Sequence, residues 1–417
     1  MLTQFLEIVH DRINRPLQYY QDICVRCGAC IDACHFYAAT GDPTHIPAQR
    51  MMLVRKALKG KKPGQNWYHE AEPSESRLTA KIQRAMWECT GCRRCATFCP
   101  FDLDTALLVS VGRYALMNEG TGLEEATGHG MILEIGNAEI SKGEIIEDLK
   151  EFYIEQIKVL EERLQREFAP DIEIPVDNKG ARVLYVPLVG EHATVPAAKV
   201  FHAAGETWTM SLFTATNHSF FVGDMSKAKE AARWIVDEAL RLEVDAIVYP
   251  ECGHATRTLM AFFENWFGDE IAGIQRMNLL ELVSSYLKDG KIRVQAGTFE
   301  TPLTYHDPCN LGRNGGLMDE PRTLINAVAS DFREFDPNRT LNWCCGGGGG
   351  LIAVPEMQEV RMKAGQKKVE QIRRTGAEWV VTACENCKTQ LEELSGHYEL
   401  GVEIKGVVDL VADALVI

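Results

Sequence analysis

The apolar positions of this chain change period part-way along. In the first twenty residues, MLTQFLEIVHDRINRPLQYY, the residues Leu2, Phe5, Leu6 and Val9 fall on one side of a helix. Such a face packs on its own domain or docks on a membrane partner. A second helical pattern runs from Ile46 to Lys62 and ends in a basic run. The stretch from Lys59 to Gly64 reads as a loop, its lysines a solvated face or an electrostatic patch for a partner. Residues 106–170 keep a helical period, strongest from Glu144 to Phe168, and hold no ligand-type cluster. They predict a helical connector, closed by the polar, proline-containing stretch Pro170 to Gly180.

From residue 181 the pattern alternates. ARVLYVPLVG and DAIVYPECGH read as strands, with the helix KAKEAARWIVDEALRL between them. PLTYHDPCNLGR, the helix EVRMKAGQKKVEQIRRTG and the strand-to-helix stretch AEWVVTACENCKTQL repeat the order. This predicts α/β structure with mainly parallel strands. The two halves align as an internal repeat. Leu184–Val189 lies over Thr304–Cys309, Phe220–Gly223 over Cys344–Gly347, and Val248–His254 over Val381–Cys387. The cysteines of the second half then correspond to Val189, Phe220, Phe221, Glu251 and His254 in the first. One cluster is expected in this region, with apolar packing in its place in the first half.

Length and composition place few further limits. The 417 residues suggest two or three domains, and 46% hydrophobic with 25% charged content is that of a globular protein. A formal net charge of -15 argues against nucleic acid and against anionic lipid held by a general basic field. Nothing reads as a secretory signal or a membrane span, so a soluble, cytoplasmic protein is expected.

The cysteines carry the chemistry. Thirteen of the fourteen fall into three groups. Cys24, Cys27, Cys30 and Cys34 have the spacing C-x2-C-x2-C-x3-C. Cys89, Cys92, Cys95 and Cys99 repeat it, followed by Pro100 where the first motif has His35. In bacterial-type ferredoxins with this spacing three cysteines wrap one cubane cluster and the fourth ligates the other. The resemblance therefore assigns Cys24, Cys27, Cys30 and Cys99 to one [4Fe-4S] cluster and Cys89, Cys92, Cys95 and Cys34 to a second. Gly28 and Gly91 let the loop backbone approach the sulfurs. Separated zinc knuckles fit these close spacings poorly.

The third group is Cys309, the adjacent pair Cys344 and Cys345, and Cys384 with Cys387. Five thiolates exceed the need of one cubane, and adjacent cysteines suit different irons of a more open cluster, or one can bridge. The glycine run from Gly346 and Gly347 to Gly350 permits positive φ and offers N–H groups to a negative cluster. Cys252, the one cysteine outside the groups, sits where the repeat places the C-x2-C turn. It reads as an extra ligand, a thiol engaging substrate sulfur, or a buried small residue. His254 reads as a proton donor or a hydrogen-bonded core histidine, and His306 and Asp307 are weaker candidates of the same kind.

The pattern C-x34-C-C-G…C-x2-C resembles the CCG domain of the heterodisulfide reductase family. With the ferredoxin motifs first, nearly the whole chain resembles the fused, HdrD-like subunit of that family. Gly41–Arg50 and Pro250–His254 bring it nearest to the DsrK and TmcB subunits of membrane respiratory complexes of sulfur metabolism. The resemblance implies an α+β fold: a helical two-[4Fe-4S] ferredoxin domain over 1–105, a helical connector over 106–180, a degenerate CCG domain without cluster over 181–300, and a CCG domain with a noncubane [4Fe-4S] cluster over 301–417. Cys309, Cys344, Cys345, Cys384 and Cys387 would be that cluster's ligands. The family members with two-cluster CCG domains keep both cysteine sets, and this chain does not. The implied activity is reduction or oxidation of a disulfide or trisulfide, of a DsrC-type sulfur carrier or of a small heterodisulfide such as CoM-S-S-CoB. A relay to quinone in a glycolate or glycerol-3-phosphate dehydrogenase, or a structural electron wire, are the rival readings. A membrane cytochrome b subunit, NarI- or DsrM-like, is the implied partner, on the inner face of the cell membrane. No flavin or NAD fingerprint is found.

Overall fold

The computed structural model describes residues 2–59, 75–118, 142–187, 191–212 and 219–417. The loop expected to end at Gly64 and the position of Val189 lie outside them. Among the described residues helices outnumber strands and every strand pairing is parallel. The chain forms two compact units: Met1–Ile135 with Ser219–Met225 and Trp343–Glu370, and Gly136–His218 with Ser226–Asn342 and Gln371–Ile417.

The first unit is helical. Phe5, Leu6 and Val9 of helix Leu2–Arg12 are buried against helix Thr105–Asn118, so the amphipathic face seen in the sequence packs on its own unit. Asn14 caps the next helix, Arg15–Ile23, its side chain accepting from the Leu17 N–H at 3.0 Å with Pro16 in the first turn. Helices Pro47–Lys59 and Glu75–Trp87 complete the apolar core with Met51, Val54, Ile82 and Met86. Helix Thr105–Asn118, expected in the connector, belongs to this core through Leu108, Val109, Ala115 and Leu116. Each leucine, valine, isoleucine or methionine among them contributes about 1.5–3 kcal/mol on full burial. Leu351, Val354 and Met357 join the same core, which anchors the segment after the glycine run.

The second unit holds two four-stranded sheets. The strands are β1 Val183–Tyr185, β2 Trp208–Thr209, β3 Ala246–Tyr249, β4 Gln275–Asn278, β5 Leu303–His306, β6 Phe332–Arg333, β7 Trp379–Thr382 and β8 Glu403–Gly406. The orders are β2-β1-β3-β4 and β6-β5-β7-β8. Val183 pairs with Trp208 and Ala246, and Leu303 with Phe332 and Trp379, so the registers correspond. Counting on equally from Ala246 and Trp379 sets Glu251 over Cys384 and His254 over Cys387. Counting on from Trp208 and Phe332 sets Phe220 and Phe221 over Cys344 and Cys345. The two sheets thus share strand order and register, and the offsets counted from their strands agree with the sequence alignment at these four positions; both mid-repeat segments, 219–225 and 343–370, belong to the first unit.

Several elements were not legible. The strands β2 and β6 are two residues long, and β4 (QRMN) and β8 (EIKG) are polar edge strands without alternation. The helix expected over EVRMKAGQKKVEQIRRTG is two, Gln358–Ala364 and Gln366–Thr375, separated at Gly365.

Candidate metal centres

The two C-x2-C-x2-C loops of the first unit have one backbone shape and different residues. Positive φ falls two and four residues after the first cysteine in each: Arg26 (59°) and Gly28 (88°), then Gly91 (66°) and Arg93 (58°). Gly28 and Gly91 are therefore not equivalent; each loop has one glycine and one arginine in left-handed backbone, the arginine at a cost of about 1 kcal/mol. The fourth cysteines also match, Cys34 at φ -87°, ψ 116° and Cys99 at φ -81°, ψ 124°.

Cys24, Cys27, Cys30, Cys95 and Cys99 line one cavity, together with Met51, Phe101 and Leu103. Burial pushes the Cys30 thiol up, and neighbouring Cys24 and Cys99 add to the shift. The other set converges as well. Burial raises Cys34, with Cys89 and Cys92 contributing, and raises Cys95 well above the ordinary range, with Cys92, Cys89 and Cys34 contributing. The fourth cysteine of each motif thus keeps company with the other motif's first three. Cys27 is exposed and Cys92 buried, so the first cavity is the accessible one. The Gly91 N–H points at Cys89 Sγ, 3.4 Å away.

The adjacent pair Cys344 and Cys345 is buried in this same unit. A hydrogen bond with Cys344, then burial, raises the Cys92 thiol, opposed by His35. One ring nitrogen of His35, Cys92 Sγ and Cys344 Sγ lie within 4.8 Å of one another. The Gly346 N–H points at Cys344 Sγ, 3.4 Å away, with Gly347 next in the loop. At Gly349 (φ 68°) a Cβ would meet the Cys89 and Thr90 backbone at 3.0 Å, so close approach demands glycine there. Arg113 fixes that approach. Its buried guanidinium donates to the carbonyls of Met86, Trp87, Cys89, Phe221 and Gly349, tying both mid-repeat segments to the second cysteine loop. Burial lowers its pKa to about 10. Sequence reasoning missed Arg113; its one signal is a lone cation in the apolar run TALLVSVGRYALMN.

In the second unit the turns after β3, β5 and β7 meet. Cys384 caps helix Glu385–His397; Cys387 chiefly lowers its thiol pKa, and the Gly253 N–H assists. A Cβ on Gly253 would lie 3.0 Å from Asn310 Cβ and 3.6 Å from Cys384 Sγ, which brings the turn holding Cys309 alongside. Cys252 is 6% exposed and packs in the apolar cluster of Leu184, Ile247 and Tyr249. His254 is buried with Nδ1 3.0 Å from Asn386 Nδ2, and His306 with Nδ1 3.3 Å from Asn342 Nδ2. An amide donor at Nδ1 leaves the hydrogen on Nε2 in both. Asp307 is occupied structurally: Arg322 grips it bidentately at 2.7 and 2.9 Å, and the Arg339 N–H donates to it. Glu251, standing where the second repeat has Cys384, is pushed up to about 8 by burial, although Lys388 draws it down.

Comparison with known proteins gives these sites a context. Residues 20–103 match the 4Fe-4S dicluster domain family and residues 303–392 the cysteine-rich CCG domain family. The Hdr-like menaquinol oxidoreductase iron-sulfur subunit 2 of Archaeoglobus fulgidus is 28% identical, over 99% of this chain and 83% of its own. The HdrD-type polypeptide of the dihydromethanophenazine:CoB–CoM heterodisulfide reductase of Methanosarcina barkeri is 25% identical, over 94% of both chains. The two domains and these near full-length similarities together support an HdrD-like member of the heterodisulfide reductase family. An HdrD-like chain is an iron–sulfur oxidoreductase subunit, and the geometry fits that cofactor class: grouped thiols, largely shielded, with backbone N–H groups aimed at sulfur. Among the described residues no helix is long and apolar enough to cross a membrane.

Proposed function

We propose that this HdrD-like chain is the disulfide-acting iron–sulfur subunit of a quinone-linked membrane respiratory complex. Two cubane clusters are held by Cys24, Cys27, Cys30 and Cys99, and by Cys89, Cys92, Cys95 and Cys34. A noncubane [4Fe-4S] cluster is held by Cys309, Cys344, Cys345, Cys384 and Cys387. The observation that carries the reading is the complete five-cysteine set in the second repeat, beyond what an electron relay needs. The substrate is the disulfide or trisulfide of a DsrC-type carrier protein, as in the DsrK and TmcB group. The electron donor is a membrane cytochrome b subunit on the inner face of the membrane. The name of the Archaeoglobus relative supports a link to menaquinol.

Reducing one S–S bond takes two electrons and two protons and gives two thiols. When bound, a noncubane cluster supplies one-electron steps to substrate sulfur. The residues of this chain supply the rest. Electrons enter beside exposed Cys27, where Val25 and Phe101 are also exposed and give a partner apolar contact. His254 and His306 hold protons at Nε2, oriented by Asn386 and Asn342. Cys252 supports the His254 turn from the core.

The match to the Methanosarcina heterodisulfide reductase chain, over 94% of both, favours a second reading, in which the substrate is a small heterodisulfide. EPR of the oxidised, anaerobically purified protein separates the two. A paramagnetic signal that appears on oxidation and changes with reduced DsrC-type carrier, but not with coenzyme M or coenzyme B, supports the carrier. A change with the coenzymes alone supports the small substrate, and a signal indifferent to every thiol refutes both.

A further inference from the structure

The first and second cysteine motifs differ in the residue after their fourth cysteine. His35 follows Cys34 and Pro100 follows Cys99, on backbones of the same conformation. Pro100 is exposed and has no N–H to offer. His35 is 2% exposed, at the start of helix His35–Thr40, with Phe36 against its ring at a centroid distance of 4.7 Å. Neither of its ring nitrogens has a partner of ordinary hydrogen-bond geometry, although its approach to Cys92 already draws that thiol's pKa down. Leaving a buried donor or acceptor unmet costs about 1–3 kcal/mol, and such a group in a well-packed interior points to a partner that arrives later.

The surroundings say what that partner is. His45, a second buried histidine of this unit, already has two partners, Thr40 Oγ1 at 2.7 Å and the Glu88 carboxylate. His35 faces sulfur. One ring nitrogen, Cys92 Sγ and Cys344 Sγ lie within 4.8 Å of one another, and Thr90 Oγ1 is 3.5 Å from Cys344 Sγ. The side chains placed against the ring are therefore thiols, one of them beside the Thr90 hydroxyl. The imidazole is the strongest donor there, and it is poised at the edge of the thiol set assigned to the second cluster.

Resting on the two-cubane reading above, we propose that His35 donates an N–H···S hydrogen bond to the sulfur at Cys92, and so sets the second cluster's reduction potential above that of the first. An N–H···S bond is worth more to the more negative, reduced cluster, so it raises the potential. The first cluster has Pro100 at the corresponding place and gains no such donor. The consequence is a direction. Electrons taken up at the exposed Cys27 side pass downhill to the buried set, where Cys344 is already in contact with Cys92. His35 is a positioning residue in this scheme, acting on the cluster through sulfur.

The test uses the full chain, anaerobically purified, with iron counted and the reduced clusters followed by EPR through a potentiometric titration. Two reduced-cubane signals in the unaltered protein establish the two-cubane reading; their absence sinks that reading, and the proposal with it. Given both signals, His35→Leu is expected to make reduction of one cluster about tenfold less favourable, a fall of about 59 mV for a one-electron couple, with the other unmoved. His35→Gln, which keeps an N–H donor, is expected to recover part of the fall. Both midpoints unchanged, or both shifted equally, overturns the proposal. Should His35→Leu fail to hold iron, pulsed EPR of the unaltered protein labelled with 15N-histidine decides. A weak 15N coupling to one reduced cluster supports the hydrogen bond. No coupling, or the strong coupling of a nitrogen bound directly to iron, contradicts it.

Discussion

The two α/β repeats of the second unit share strand order, direction and register, and differ in what stands at corresponding places. Where the second repeat has Cys344, Cys345, Cys384 and Cys387, the first has Phe220, Phe221, Glu251 and His254. The two phenylalanines are buried edge-to-face, with ring centroids 5.2 Å apart. The corresponding cysteines are equally buried. At the aligned positions one half thus carries aromatic volume and the other thiols. The difference teaches that the mid-repeat segment is buried in both halves while its chemistry differs.

The comparison can be broken most forcefully by exchanging the two kinds of filling for alanine. Phe221→Ala removes a packed ring and is expected to cost about 3–5 kcal/mol of stability, while the fraction that folds keeps its full iron. Cys345→Ala removes little volume and little packing, and is expected to abolish activity and about four irons per chain, together with the stability that the bound cluster supplies. Thermal melts and iron counts on the two variants check this together. A Cys345→Ala protein that retains all its iron and activity would remove Cys345 from the ligand set.

Glu251 sharpens the comparison more gently. Burial, the largest cause, raises its pKa from an ordinary carboxyl value to about 8, and the Val408 N–H meets its Oε1 at 3.4 Å. The folded state therefore holds a proton that the unfolded chain releases near pH 4.5. Stability from this group is fully present below that pH and falls as pH rises to about 8, because the unfolded chain gains by ionising. Glu251→Gln, neutral throughout, is expected to melt with the unaltered protein at about pH 4 and above it at about pH 8. Equal melting temperatures at both of these pH values, about 4 and about 8, would mean that the carboxyl ionises without penalty, against the burial described.

The sequence revealed the thirteen grouped cysteines, because ligand spacing is local and survives without any tertiary information. It also revealed the repeat, since the buried strands β1, β3, β5 and β7 carry apolar residues that align without gaps. The short and polar edge strands were hidden for the opposite reason. What remained out of reach depended on contacts far apart in the chain. Arg113 reaches Gly349, and His35 reaches Cys92 and Cys344, with no pattern linking them. Cys252 read as a candidate thiol because it stands alone at a strand end, yet the structure buries it in an apolar cluster. Gly28 and Gly91 looked alike by composition and proved to occupy different places in their loops, since arginine takes the other left-handed position in each.

The central claim is that the second repeat carries a cluster and the first does not. Iron and acid-labile sulfide counted per chain in the anaerobically purified protein test it most directly. The account predicts about twelve irons, as three four-iron clusters. About sixteen would place a cluster in the first repeat despite Phe220 and Phe221, and about eight would leave the five cysteines of the second without one; either result contradicts it.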